Sequence, residues 1–350
     1  MTKMNLKSVV REFVLFAVLL VVSVTMVLPS YGAKKHKEIK LVLSSFAPVG
    51  YPYLYDITKL FVDLVNQRGK GIVQINPYYG GTLLRGRQAL PGLQAGTADI
   101  VFVVTGRAAG VLPVLGIWNI PVWDNMKNAA KALRYGSPAM EIINKQIAKK
   151  NFYMIPTGNA VEYIFTKKVV KTFDDLKGMK IRASGRSEGK AILALGAIPV
   201  VMPSADIPQS LQRNIIDGVL ISPHSAPGRK IEDFVKSVLV YPIAYQGGGM
   251  LFAKDRWNKL PEDVRQILTE AGKEWGERSI GWQENTILSK AQIETKLIPF
   301  YQKAGVKVVY PTAEAVKKFK TALKPVGEWW VKQVGEDVGS KLLKYTDYIK

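Results

Sequence analysis

The run Asp174-Asp175-Leu176-Lys177-Gly178-Met179-Lys180-Ile181-Arg182 places one guanidinium at the end of a short apolar strand. In an open α/β sheet the carboxyl ends of strands border the ligand crevice, and a guanidinium there is a rigid fork that fits a carboxylate with two hydrogen bonds. Arg182 is therefore the first candidate anchor for an acidic solute. The rival chemistry is nucleophilic. Gly185-Arg186-Ser187-Glu188-Gly189 fits G-x-S-x-G between a predicted strand and a predicted helix, as a hydrolase nucleophile elbow would. An exported esterase of that kind needs Ser187, His224 as base, and Asp206 or Asp217 between them, a cramped spread for a triad drawn from several βα units. Ser187 reads better as the cap of the following helix, with Glu188 favourable in its first turn. Metal chemistry lacks a ligand set: His36 and His224 are the only histidines, neither lies in a ligand-spaced cluster, and cysteine is absent. No metal and no cofactor is expected.

Strands alternating with helices must position these groups. Residues Ile39–Leu43 read as a strand, and Leu54, Ile57, Leu60, Phe61, Leu64 and Val65 recur at helical spacing before Gly69. A strand Val73–Tyr78, a helical segment from Gly80 to Gln94 kinked at Pro91, and a buried strand Asp99–Val104 complete a β-α-β-α-β unit. A helix is predicted over Met126–Lys149, then strands Phe152–Ile155 and Tyr163–Thr166. The alternation resumes with strand Lys180–Ala183, helix Ser187–Leu195, strand Pro199–Met202, helix Asp206–Gln212 and strand Gly218–Ile221. Leu260-Pro261-Glu262-Asp263 is a helix start, and apolar spacing from Val264 extends towards Tyr301. The two β/α runs meet near Gly158, where a lobe boundary is placed.

The chain ends and the composition narrow the setting. Lys3, Lys7 and Arg11 precede an uncharged run from Phe13 to Leu28, and small residues follow at Ser30 and Gly32. That is the layout of a secretory signal, residues 1–32, cleaved after Gly32. The remaining chain suits one large domain or two of ordinary size by the prior of roughly 150 residues per domain. With 49 basic against 28 acidic residues the net charge is +21. Such a field attracts anions, yet the lysines are scattered along helices and export removes the chain from nucleic acid, which is not expected as a partner.

Several fragments then occur in one order: Gly80-Gly81-Thr82-Leu83, Ala95-Gly96-Thr97-Ala98-Asp99-Ile100, Asp175–Arg182, Leu195–Pro203, Leu211–Gly218 and Trp257-Asn258-Lys259-Leu260-Pro261. Together they resemble the periplasmic solute receptors of TRAP transporters, the tripartite ATP-independent systems. The resemblance implies an α/β, two-lobe periplasmic-binding-protein clamshell, each lobe a mixed sheet flanked by helices, with a long helix spanning both. Lobe 1 is expected over 33–158 plus about 246–285, and lobe 2 over 159–245 plus about 286–350. It implies a monomer in the periplasm that closes around a small organic acid and delivers it to the small and large permease subunits. A receptor feeding a sensor has the same pocket.

The family's near-constant arginine falls on Arg182. Arg107 falls where sialic-acid-binding relatives place a second pocket arginine, and Ser222 near their pocket asparagine. Glu162 stands where many relatives have another arginine, which leans the ligand towards a monocarboxylate, or one with an amine or hydroxyl near Glu162. Arg213-Asn214 replaces the usual glycine before Asp217-Gly218. Tyr245 and Gln246 join the candidates because Gly247-Gly248-Gly249 implies a close backbone approach or a hinge. Tyr51, Trp118 and Trp123 read as packing residues.

Overall fold

The computed structural model describes residues 36–172, 174–282 and 293–348. The signal segment 1–32 and the stretch 283–292 of the expected long helix lie outside them. Nine strands form one sheet: β1 Ile39–Ser45, β2 Val73–Tyr78, β3 Ile100–Val104, β4 Phe152–Thr166, β5 Lys180–Ala183, β6 Ile198–Val201, β7 Gly218–Ile221, β8 Ser237–Ala253 and β9 Lys307–Val309. Their order is β2-β1-β3-β8-β4-β7-β5-β6, with β9 also paired to β8. At one end β2, β1 and β3 run parallel; at the other β7, β5 and β6 do the same. Between them β8 and β4 run antiparallel to each other and to their outer neighbours.

The two central strands are long, 15 and 17 residues, about 50 Å at roughly 3.3 Å per residue. Each therefore serves both ends of the sheet. Their ladder shifts register between Thr157 and Ala160 and again between Glu162 and Ile164. The strands expected separately at Phe152–Ile155 and Tyr163–Thr166 are thus one strand running through Gly158. Its partner β8 carries Pro242 and three glycines, residues that depress any strand signal in the sequence.

Side-chain alternation sorts the second half of the sheet. Ile164, Ile181, Ala183, Leu220 and Leu239 enter one apolar cluster together with Phe319. Phe165, Val219, Ile221 and Val238 enter another, which contains Trp118 and Trp330. Arg182 lies between Ile181 and Ala183, so the period of two turns it to the opposite face from them.

The helix Leu54–Arg68 buries Ile57, Phe61, Leu64 and Val65 on one stripe, and the helix Glu262–Trp282 packs across it. Trp275 donates its indole N–H to Ile57 O at 2.6 Å and its ring meets Phe61 at a centroid distance of 5.1 Å. Gly272 of this helix lies against β4. A Cβ there would fall 2.4 Å from Ile155 Cγ2, so its bareness lets the helix seat directly on β4. After the undescribed stretch a π-helical turn, Ile293–Leu297, leads into the helix Ile298–Lys303.

Two expected helices differ. The first begins at Ala89, because Gly80 and Gly81 have φ of 70° and 71° and cannot continue a right-handed helix; Pro91 falls in its first turn and kinks nothing. The second divides into Met126–Ala132 and Pro138–Ala148. Between them Gly136 turns at φ 74°, and Ser137 accepts from Met140 N as a cap.

The C-terminal segment expected wholly in the second lobe reaches back to the first part of the chain. Trp330 donates to Pro113 O at 3.0 Å, and Asp347 accepts from Asn128 Nδ2 at 3.0 Å. Lys190, near β6, also lies over the Trp329 ring, so residues 325–348 touch both ends of the sheet. Among the described residues no helix is long and apolar enough to cross a membrane.

Candidate functional site

A cavity of about 600 Å³, its mouth included, opens where β4 and β8 pass between the two ends of the sheet. Arg182, Arg107, Glu162, Ser222 and Gln246 all line it. Arg182 is 3% exposed. Its Nε donates to Met202 O at 3.1 Å and its Nη1 to Leu220 O at 3.2 Å. These bonds hold the guanidinium in place, while no hydrogen bond among the described residues engages Nη2. Among the described residues no carboxylate forms an ion pair with it either; Glu188 and Glu162 act on it through space. Burial lowers its proton affinity, and those two carboxylates raise it.

Arg107 sits in the short helix Thr105–Ala108 just beyond β3, its guanidinium 5.6 Å from the centre of the Phe46 ring. Burial first, and then the charge of Arg182, lower its affinity for a proton. Two cations thus share one cavity from opposite ends of the sheet.

The carboxylates are held differently. Glu188 is fully buried and richly bonded: Ser184 N donates to Oε2 at 2.6 Å, and the Ser184 hydroxyl, Asn119 Nδ2 at 3.1 Å and Gln246 Nε2 at 3.1 Å donate to Oε1. Its helix begins at Arg186, with Gly185 as the N-cap residue. Ser187 is therefore inside the helix and is not its cap. Glu188 serves the start instead, by reaching back to Ser184 N. Glycine is required at 185, because a Cβ would fall 1.9 Å from Gly106 O; through this pair the two ends of the sheet touch backbone to backbone.

Glu162 is 2% exposed and receives one hydrogen bond, from Gln246 Nε2 to Oε1 at 3.3 Å. Its Oε2 is buried and receives no bond from a donor among the described residues, while Glu188 lies close enough to share a hydrogen bond with the Glu162 carboxyl. Burial, and then the like charge of Glu188, push its carboxyl well above the usual carboxylate range, against the opposing pull of Arg182.

Gln246 is the hub. Its Nε2 reaches Glu162, Ser184 and Glu188, and its Oε1 accepts from Gly106 N and Asn119 Nδ2, both at 3.0 Å. Tyr245 does not join it. Neighbouring residues of a strand face opposite sides, and Tyr245 lines a different cavity, its hydroxyl 3.4 Å from Asp124 O. The three glycines that follow are close-approach positions; at Gly247 a Cβ would fall 2.3 Å from Trp118 Cδ1. That contact accounts for Trp118 as a packing residue.

Ser222 lines the cavity, and its hydroxyl accepts from His224 N at 3.3 Å and lies 3.4 Å from His224 Nδ1. His224 is buried, and burial lowers its pKa to about 3, so it stays neutral. No hydrogen bond among the described residues joins it to Ser187, and Asp217 is spent on Lys180 N at 2.8 Å. Ser187 is absent from the residues with positive φ, so the strained elbow is not formed. The triad is not assembled. Among the described residues no group of three or more metal-ligating side chains occurs.

Four aromatic residues line the cavity as well, Phe46, Tyr51, Tyr53 and Phe102. Tyr51, expected only to pack, lines the cavity and lies under Arg229 at 4.7 Å, while Arg229 Nη2 donates to Ser204 Oγ at 3.3 Å. Tyr53 lines it too, with φ at 65° at the start of the helix Leu54–Arg68. Strain of that kind in a bulky residue concentrates at functional sites. Neither carries a sequence signal beyond being aromatic. Asn214, in the place of the family's glycine, has φ of 57°, a conformation asparagine tolerates, so the turn before Asp217-Gly218 survives the replacement.

Fold and site together are those of a solute receptor: a cleft crossed by two long strands, with buried charge. The chain belongs to the DctP family, the bacterial extracellular solute-binding proteins of family 7, whose profile matches residues 43–333, and it is a receptor of the TRAP-transporter class. It is 26% identical over 297 residues to the 2,3-diketo-L-gulonate-binding periplasmic protein of Escherichia coli, covering 83% of this chain and 87% of that one. It is 23% identical over 285 residues to the C4-dicarboxylate-binding periplasmic protein DctP of Rhodobacter capsulatus, covering 79% and 82%. The crystal structure of DctP7, an extracytoplasmic solute receptor of Bordetella pertussis binding pyroglutamic acid, superposes with a TM-score of 0.76 at 23% identity, over 89% of this chain and 99% of that one.

Proposed function

We propose that this protein is a periplasmic receptor, exported by residues 1–32, that binds a small organic acid with its carboxylate on Arg182 and Arg107 and delivers it to a TRAP permease. The observation that carries the reading is Arg182: a buried guanidinium with Nη2 unengaged among the described residues, lining a cavity it shares with Arg107. A charge so desolvated is stable only when paired. A bound carboxylate supplies the pair without any bond being made or broken.

Arg107 comes from one end of the sheet and Arg182 from the other. An acid bridging them favours the closed arrangement over an open one, which is population shift by differential binding. A lobe boundary near Gly158, between 33–158 plus about 246–285 and 159–245 plus about 286–350, is supported by the register shift between Thr157 and Ala160, with residues 325–348 of the second group also lying against the first. The relatives named above bind a sugar acid, a dicarboxylate and pyroglutamic acid by their names, so the shared chemistry is the carboxylate.

The test is thermal melting of residues 33–350 against organic acids and their neutral amides. A binder at 100 times its dissociation constant adds about 2.7 kcal/mol. The midpoint rises with the acid and stays put with the amide. Equal shifts with both remove the carboxylate from the reading.

A further inference from the structure

We propose that the acid held on Arg182 has a compact apolar body: it is a monocarboxylic acid carrying a six-membered carbon ring or a branched alkyl group, which lies against Phe46. The proposal rests on the carboxylate reading above and names the rest of the ligand.

The two walls of the cavity differ in chemistry, and the sheet explains why. From β5, β6, β7 and the residues just after them come Arg182, Ser184, Ser204 and Ser222. From β1, β3, the helix Leu54–Arg68 and the residues beside them come Phe46, Tyr53, Ile57, Phe102 and Val104, with Arg107 the one charged residue on that side. Most of the surface left open between the walls is apolar.

Alternation along β3 produces the apolar wall. Val101 and Val103 enter the apolar cluster that contains Trp118, so Phe102 and Val104 turn to the opposite face and line the cavity. Phe46 follows Ser45, the partner of Phe102 in the parallel ladder of β1 and β3. The two rings lie nearly parallel, 10° apart with centres at 6.0 Å, and the Arg107 guanidinium is 5.6 Å from the centre of the Phe46 ring. Phe102 is buried against Gly248, where a Cβ would fall 3.3 Å from its Cε2. Phe46 is only partly buried and lines the cavity, so its ring is the one a ligand reaches.

Other bodies fit this wall less well. A polyhydroxylated body strips water from each hydroxyl, and against rings and alkyl groups nothing replaces it. The polar side chains of the cavity are largely engaged already: Ser184 and Gln246 with Glu188, Ser204 with Arg229, Ser222 with His224. A second carboxylate meets no further cation, because among the described residues Arg107 and Arg182 are the cations that line the cavity, and the first carboxylate takes both. An apolar body meets neither conflict and gains from the burial of its own surface.

The experiment is calorimetric titration of the receptor with acetate, phenylacetate, cyclohexylacetate, gluconate and succinate, and with phenylacetamide, which lacks the charge. The two ring acids are expected to bind roughly tenfold to a hundredfold tighter than acetate, the factor that burying a ring supplies, and tighter than gluconate and succinate. In Phe46→Ala that gain over acetate shrinks by about tenfold, and in Phe46→Leu, still apolar, most of it stays. An unfolding midpoint for each variant confirms that it folds. If the ring acids bind no better than acetate, if gluconate or succinate binds tightest, or if Phe46→Ala weakens acetate and phenylacetate alike, the proposal is overturned while the Arg182 reading stands. If no acid binds, if phenylacetamide binds as tightly as phenylacetate, or if Arg182→Ala binds every acid unchanged, that reading falls and this one with it.

Discussion

Tyr245 and Gln246 are neighbours on β8, yet they open onto two different cavities. The one beside Tyr245 is the larger, about 910 Å³ against about 600 Å³, and it too contains charge and aromatic surface. Its charges, however, face water: Lys320 and Asp124 approach to 3.9 Å with about two thirds of each side chain exposed. Arg182 and Glu162, which line the smaller cavity, are each less than 4% exposed. A solvated pair gains little from a ligand, because water already serves both partners. A buried charge short of partners gains a great deal. The proposed site is marked by desolvated charge, a property that cavity volume does not report.

The strongest way to break this contrast is Arg182→Ala. Removing one partner of a buried charge pair costs about 3–5 kcal/mol, so affinity for the carboxylate should fall by roughly two to four powers of ten. Calorimetric titration checks it, and an unchanged dissociation constant would erase the distinction between the cavities.

Glu162 provides the next test, through pH. Its folded-state pKa is raised by burial and by Glu188, so the folded protein holds a proton that the unfolded chain releases above the ordinary glutamate range. Stability is therefore greatest below that range and declines as pH rises from there towards the raised value, by about 1.4 kcal/mol for each unit of displacement. Glu162→Gln removes this decline: denaturant midpoints of variant and parent should converge near pH 4 and separate in the variant's favour by pH 8. Parallel curves would mean that Glu162 is not desolvated as described.

A smaller effect belongs to the lip of the cavity. Tyr51 and Gly228-Arg229 meet across it, with the guanidinium 4.7 Å from the ring centre and a Cβ at Gly228 falling 2.9 Å from Pro52. Tyr51→Leu removes a cation–π contact of about 0.5–2 kcal/mol that holds the lip together, so ligand should dissociate faster and affinity should drop by up to roughly thirtyfold. Stopped-flow displacement would register the change in off-rate. Tyr245→Phe closes the series. It removes only the contact with Asp124 O in the other cavity, and titration should find affinity within about twofold of the parent, with stability lowered by about 0.5–1.5 kcal/mol at most.

Much of the frame is legible along the chain because it is local. Strands Val73–Tyr78, Lys180–Ala183 and Gly218–Ile221 begin and end where apolar runs meet turn residues, and Arg182 follows from its place at the end of one of them. Ser187 shows the limit of local reading. The motif around it fits a nucleophile, but Gly185 is there for close contact with Gly106, far away in sequence, and Glu188 is there to accept four hydrogen bonds. Strand β8 was invisible for a related reason: its glycines answer to Trp118, Phe102 and Met154 across the fold, not to their own neighbours.

The sequence by itself determined the alternating α/β order, the absence of thiol chemistry, the family and the arginine most suited to an acid, since propensity, periodicity and residue type act over a few positions. Only the tertiary structure decided which carboxyl gathers four donors and which is held chiefly by Gln246, that Gln246 turns into the cleft while Tyr245 turns away, and that Tyr51 meets Arg229. Desolvation and hydrogen-bond satisfaction depend on what surrounds a group in space, and for Glu162 those surroundings come from Gln246, Glu188 and Arg182 on three separate elements.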